Sequence, residues 1–164
     1  MPPSLIPATL IDTHLKTVGL LVTNSALSDI VLFNAFRVLS GCNSKIANAI
    51  YFSSETLPQK KKFIRRILET KNDPAEKAIV ERIINAVERT QTQRNELSHA
   101  ALQIKNHRLL RVNARSNKAD GSKSITVPYL DSLWKQASQS YVEAHQAYRE
   151  LCLKRGIPPT IVHE

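Results

Sequence analysis

Apolar residues recur along most of this chain at steps of three and four, the period of helices that bury one face. Ile11, Leu15, Val18 and Val22 form a first stripe, and the polar triplet Thr23-Asn24-Ser25 predicts a break after it. A second helix is expected from about Ser28 through Leu32, Phe36 and Leu39, stopping at Gly41, where a left-handed cap costs glycine little. A third runs from about Ser44 to Phe52. A fourth starts near Pro58 and carries Phe63, Ile64, Ile67 and Leu68 on its apolar side.

Asp73-Pro74-Ala75-Glu76 is the strongest helix start in the sequence. Asp73 accepts from the first turn, Pro74 has no amide to leave unpaired, and Glu76 reaches back to the cap. Val80, Ile83, Val87 and Thr90 continue that helix, and Leu97, Ala101 and Ile104 extend the stripe. Unbroken from Pro74 to Ile104, it would be about 46 Å long, so a bend or packing against a second copy is expected near its far end.

The period then changes to two. Leu110, Val112 and Ala114 alternate with Arg111, Asn113 and Arg115, while Ile125 and Val127 offer a partner strand. Ser116 to Ser124, with Asp120-Gly121, reads as the hairpin tip. After Pro128, Leu130, Trp134, Ala137, Tyr141, Ala144, Tyr148 and Leu151 mark a last helix with its aromatics in the core, ended by Gly156 and Pro158. Residues 1–7 and 157–164 are expected to be loosely held. These elements predict an all-α fold over residues 1–164, a single domain built as an up-down bundle with a short basic β-hairpin before the last helix.

Composition narrows the function classes. With 164 residues, 42% hydrophobic and only four glycines, the chain can bury one core but can hardly supply a glycine-rich phosphate loop. Cys42 and Cys152 fit no ligand or redox spacing, and a reduced, cytoplasmic protein is the expectation. No uninterrupted apolar run approaches a membrane span, and no basic start leads into an apolar block, so neither membrane insertion nor export is expected. His14, His99, His107, His145 and His163 make no metal-ligand pattern with each other, with cysteine or with carboxylates, and neither metal nor cofactor is expected.

The formal charge of +9 is uneven. Residues 1–36 hold Lys16 against Asp12 and Asp29, so the excess lies further on. Lys60, Lys61, Lys62, Arg65 and Arg66 fall within seven positions that contain no acid. Lys105, Arg108, Arg111, Arg115, Lys118 and Lys123 face only Asp120 in their segment. Such clusters attract phosphate backbones through counterion release, and they also serve as solvated faces that keep a protein soluble.

Arg94-Asn95-Glu96-Leu97-Ser98-His99 interrupts the apolar stripe of the helix that starts at Pro74 with groups suited to chemistry. Arg94 falls seven residues after Val87 on the predicted stripe, and a guanidinium directed inward requires an anion or a paired polar site. On an ideal helix Asn95 and His99 lie about 40° apart and Arg94 and His99 about 140°, so the latter pair converges only if the helix bends or two copies meet. Imidazole moves protons near neutral pH, and guanidinium holds phosphate oxygens as charge develops on them. That combination suits metal-independent cleavage of a ribose phosphodiester. The other reading is a capped helix end, with Arg94 in an ion pair and His99 exposed or satisfied by backbone.

Arg94 and Asn95 followed by His99, late in a long helix of a small helical chain, resemble the signature of the HEPN superfamily. The surroundings add to it: Phe36-Arg37-Val38-Leu39-Ser40-Gly41 leading into Ile46-Ala47-Asn48-Ala49-Ile50-Tyr51-Phe52, then a hairpin-like insert before a final long helix. The resemblance covers roughly residues 30 to 155. It implies that Arg94, Asn95 and His99 are catalytic, that the site forms between two protomers, and that RNA is cut without metal. It also implies the role of a toxin, an anti-phage effector or a nuclease of a larger defence system, with an antitoxin or other protein partner. His99 would be general acid or base, Arg94 would clamp the scissile phosphate, and Asn95 would orient His99 or the phosphate by hydrogen bonding. The alternatives are a module that binds RNA or a nucleotide without cutting, and a structural protein that docks a partner through its final helix.

Overall fold

A computed structural model describes residues 8–98, 101–105, 108–112 and 123–160. Five helices, α1 (Ala8–Ser40), α2 (Ser44–Phe52), α3 (Leu57–Lys71), α4 (Pro74–Ser98) and α5 (Val127–Lys154), make the body of the fold, which is all-α. Three short strands, β1 (Ala101–Lys105), β2 (Arg108–Val112) and β3 (Lys123–Ser124), lie between α4 and α5 in antiparallel order β1-β2-β3.

Local chemistry sets most helix ends. Gly41 takes φ +67° and its amide donates to the Arg37 carbonyl at 3.1 Å, closing α1. Asn43 caps α2 by accepting from the Ile46 amide at 3.0 Å. Asp73 accepts from the Glu76 amide at 2.9 Å, and Thr126 accepts from the Tyr129 amide at 3.3 Å. Asp73 also pairs with Lys154 at 2.9 Å, and these bonds, the Glu76 amide foremost, hold its carboxyl below the usual aspartate range. Glu76 does not reach back to the cap as expected. Its buried carboxylate forms a two-pronged pair with Arg155 just beyond α5, tying the two ends together.

The main core joins Leu32, Phe36 and Leu39 of α1 to Tyr51, Ile64, Val80, Ile83, Val87, Tyr148 and Leu151. A second cluster, Leu21, Leu97, Leu109, Ile125, Leu130, Leu133 and Ala137, docks the sheet against the bundle. Trp134 and Tyr141 are half-buried at the edge of the α5 stripe, whose centre is Leu130, Ala137, Ala144, Tyr148 and Leu151. The tail beyond α5 is pinned as far as Thr160, whose carbonyl accepts from Tyr148 Oη at 2.9 Å. Residues 1–7 and 161–164 lie outside the described residues.

Several expectations are corrected. The helix does not break at Thr23-Asn24-Ser25: α1 runs through, with Asn24 buried and its side-chain amide donating to Ser138 Oγ on α5 at 3.3 Å. Polar residues without glycine or proline stay helical when a neighbouring helix supplies a partner. The N-terminal half of α1 turns His14, Thr17, Leu21 and Asn24 inward, leaving Leu15 63% exposed and Val22 45% exposed. By length and composition α1 is long and apolar enough to cross a membrane, although no uninterrupted apolar run within it is, and half of its most apolar stretch is buried inside the protein. Helix α4 ends at Ser98 rather than Ile104, because Leu102 and Ile104 alternate with Gln103 and Lys105 and that period of two pairs with β2. The Leu109 carbonyl accepts from the Ile125 amide at 2.8 Å, but Val127 begins α5. Ala114 and the predicted tip, apart from Lys123 and Ser124, fall outside the described residues.

His14 makes one consequence measurable. It is 4% exposed, its Nδ1 finds no partner among the described residues, and burial lowers its pKa below 6.5. The unfolded chain therefore takes up this proton first as pH falls, so the His14 contribution to stability is complete above the unfolded pKa and is lost below it. His14→Leu is expected to flatten the decline in melting temperature between pH 7.5 and 5.5; an unchanged slope would assign that decline elsewhere.

Candidate functional site

The α4 helix carries Arg94 on a flank of its buried face rather than at its centre. Ala86, Thr90, Gln93 and Leu97 are the buried positions at steps of four and three, so Arg94 is displaced one residue from the seam and is half-buried. The valine spacing that predicted an inward arginine holds only as far as Val87. Beyond it, Gln93 faces inward and its amide donates to Gln136 of α5 at 3.4 Å.

Arg94 donates from Nε at 3.0 Å and from Nη2 at 2.6 Å to the same Asn95 Oδ1. Two of its five N–H donors are thus held by a neutral carbonyl, which fixes the guanidinium without neutralising it. No carboxylate pairs with Arg94 among the described residues. Arg94 lines a cavity of about 480 Å³ together with Ser25, Asp29, Glu55, Lys60 and Gln91. The elements meeting there are α1, the α2–α3 connection, the start of α3, and α4.

Asp29 is committed on one side of that cavity. Its Oδ1 accepts from Tyr51 Oη at 2.8 Å and its Oδ2 from Lys60 Nζ at 2.7 Å. Burial, reinforced by the Asp29 charge, pushes the Tyr51 phenol far above its ordinary value, so it remains a neutral donor. Lys60 Nζ also lies 4.4 Å from the Tyr51 ring centroid. With Asp29 and Lys60 paired, the cavity presents one cation, Arg94, and one carboxylate, Glu55. It can hold an anionic group at Arg94 and hydrogen-bond donors at Glu55.

Asn95 is placed beside Arg94 as its acceptor. His99 lies outside the described residues. Of the first basic run, Lys60 pairs with Asp29, Lys61 with Glu88, and Arg65 through two bonds of 2.8 Å with Glu81. The acids missing from the local sequence come from α1 and α4, which leaves Lys62 and Arg66 exposed without ion-pair partners among the described residues. In the second cluster, backbone register sets Lys105 opposite Arg108 and Arg111 opposite Lys123. Arg115 and Lys118 lie outside the described residues.

Sequence reasoning singles out neither Asp29 as a cavity residue nor Tyr51 as its hydrogen-bond donor. The available signal was that Asp29 is the lone acid between Asp12 and Glu55, set in a helix otherwise rich in apolar and small residues. Among the described residues, no three His, Cys, Asp or Glu side chains come together to hold a metal ion. No family model matches the chain, and no curated protein or solved structure matches it.

Proposed function

We propose that this protein is a metal-independent endoribonuclease of the HEPN type, a cytoplasmic toxin or defence effector built as a helical bundle with a basic hairpin. The observation that carries the reading is Arg94: a guanidinium held by Asn95 at the edge of a polar cavity, with no carboxylate taking up its charge among the described residues. In the proposed reaction Arg94 clamps the scissile phosphate and stabilises its growing charge. His99 moves a proton at the ribose 2′-hydroxyl or at the leaving oxygen, and Glu55 accepts from a ribose hydroxyl or a base amine. The active form is a homodimer in which Arg94 of one copy meets His99 of the other. An antitoxin or another protein partner restrains it. The experiment is incubation of purified protein with single-stranded and structured RNA in EDTA; no cleavage across a broad panel would overturn the nuclease.

A second reading is a non-catalytic RNA-binding module. The paired register of Lys105 with Arg108 and Arg111 with Lys123 favours RNA binding under either reading. Arg108→Gln with Arg111→Gln is expected to flatten the dependence of RNA affinity on salt by about 1.4 to 1.8 in log–log slope, the release belonging to two phosphate contacts. An unchanged slope would make the strands a solvated face.

A further inference from the structure

Lys62, Phe63 and Arg66 of α3 line a recess of about 360 Å³ with Ser53, Ser54 and Gln59. The neighbouring cations Lys60, Lys61 and Arg65 are held by carboxylates from other helices, so this end of the basic run offers outward charge at Lys62 and Arg66. Between them in sequence, Phe63 is 37% exposed. Phe63 and Phe52 are the two large aromatic side chains left exposed among the described residues, in a molecule otherwise poor in stacking surface.

We propose that this recess is a subsite for one unpaired nucleotide of a single-stranded RNA, with its base stacked on Phe63 and the flanking phosphates held by Lys62 and Arg66. The proposal rests on RNA being the ligand, and it adds a second contact point on α3, outside the Arg94 cavity. An unpaired base offers a free π-face to an exposed ring, whereas a base inside a duplex is already stacked. Two cations beside that ring, without ion-pair partners among the described residues, match the phosphates on either side of the base, and Gln59 supplies hydrogen-bonding groups to the recess. An acidic peptide would satisfy the cations but leave the ring without a role.

Fluorescence anisotropy with labelled single-stranded RNA and a duplex of the same sequence tests the assignment on the full chain. Phe63→Ala is expected to weaken single-strand binding roughly 5- to 100-fold and leave duplex binding unchanged. Phe63→Leu, which keeps apolar volume, should lose as much, and Phe63→Tyr should retain affinity. Lys62→Gln with Arg66→Gln should flatten the single-strand salt slope by about 1.4, while Lys61→Gln leaves it unchanged. Single-strand binding that is insensitive to Phe63, equal losses for single strand and duplex, or an acidic peptide that binds as tightly as RNA would each overturn the subsite while leaving RNA binding in place. Failure of the wild-type protein to bind any RNA would overturn the RNA reading itself.

Discussion

Arg94→Ala and His99→Ala are each expected to lower RNA cleavage in EDTA by about 100-fold or more, within the range for loss of a charge stabiliser or a general acid–base. The fold should survive in Arg94→Ala. Its side chain is half-buried and bonds, among the described residues, only to the adjacent Asn95, so the stability change should stay within about 0.5 kcal/mol and the melting temperature within about 2 °C. Arg94→Lys separates geometry from charge: a single ammonium cannot reproduce the two-pronged hold on phosphate, and most activity should be lost. Asn95→Ala should reduce activity less, because it frees the guanidinium to wander without removing it. If wild type and both alanine variants cut alike, or if cleavage requires added metal, the proposed mechanism is wrong.

The same variants test the shared site. Mixing inactive Arg94→Ala with inactive His99→Ala should restore some cleavage, since in a heterodimer one of the two composite sites is whole. The exposed stripe of Ile11, Leu15 and Val22 gives α1 an apolar face that reaches the cavity, because Val22 lines it. A fully active monomer by light scattering would remove the composite site and require His99 to approach Arg94 within one chain.

The legible parts of the fold were those governed by local chemistry. Gly41 and Asp73-Pro74 fix helix ends through their own backbone or side chain, and the α5 stripe repeats long enough for its period to be unmistakable. Where a distant partner decides, the sequence misled. Asn24 remains helical because Ser138 meets it, and Ala101–Lys105 becomes strand because β2 lies alongside. Lys60, Lys61 and Arg65 looked like one uncompensated patch because Asp29, Glu88 and Glu81 are remote in sequence. Arg94 was recognisable by type, but its offset from the buried seam emerges only once Gln93 and Leu97 choose the inward positions.

Arg155→Ala is expected to produce the largest loss of stability, about 3–5 kcal/mol by urea unfolding, because it leaves a buried carboxylate without its partner. Glu76 keeps only 4% side-chain exposure, against 25% for Arg155, so the arginine can be rehydrated when the pair breaks but the carboxylate cannot. Removal of the arginine should therefore cost more than Glu76→Gln, which preserves the shape and discharges the buried member. The double substitution Glu76→Met with Arg155→Met should recover much of the loss, since apolar residues of similar volume remove the desolvation penalty together with the attraction. The Asp73 cap and its pair with Lys154 remain in all of these variants, so the start of α4 stays helical and the change reports on the buried pair. A loss below about 1 kcal/mol for Arg155→Ala would mean that water reaches Glu76 and that the pair contributes no more than an exposed one.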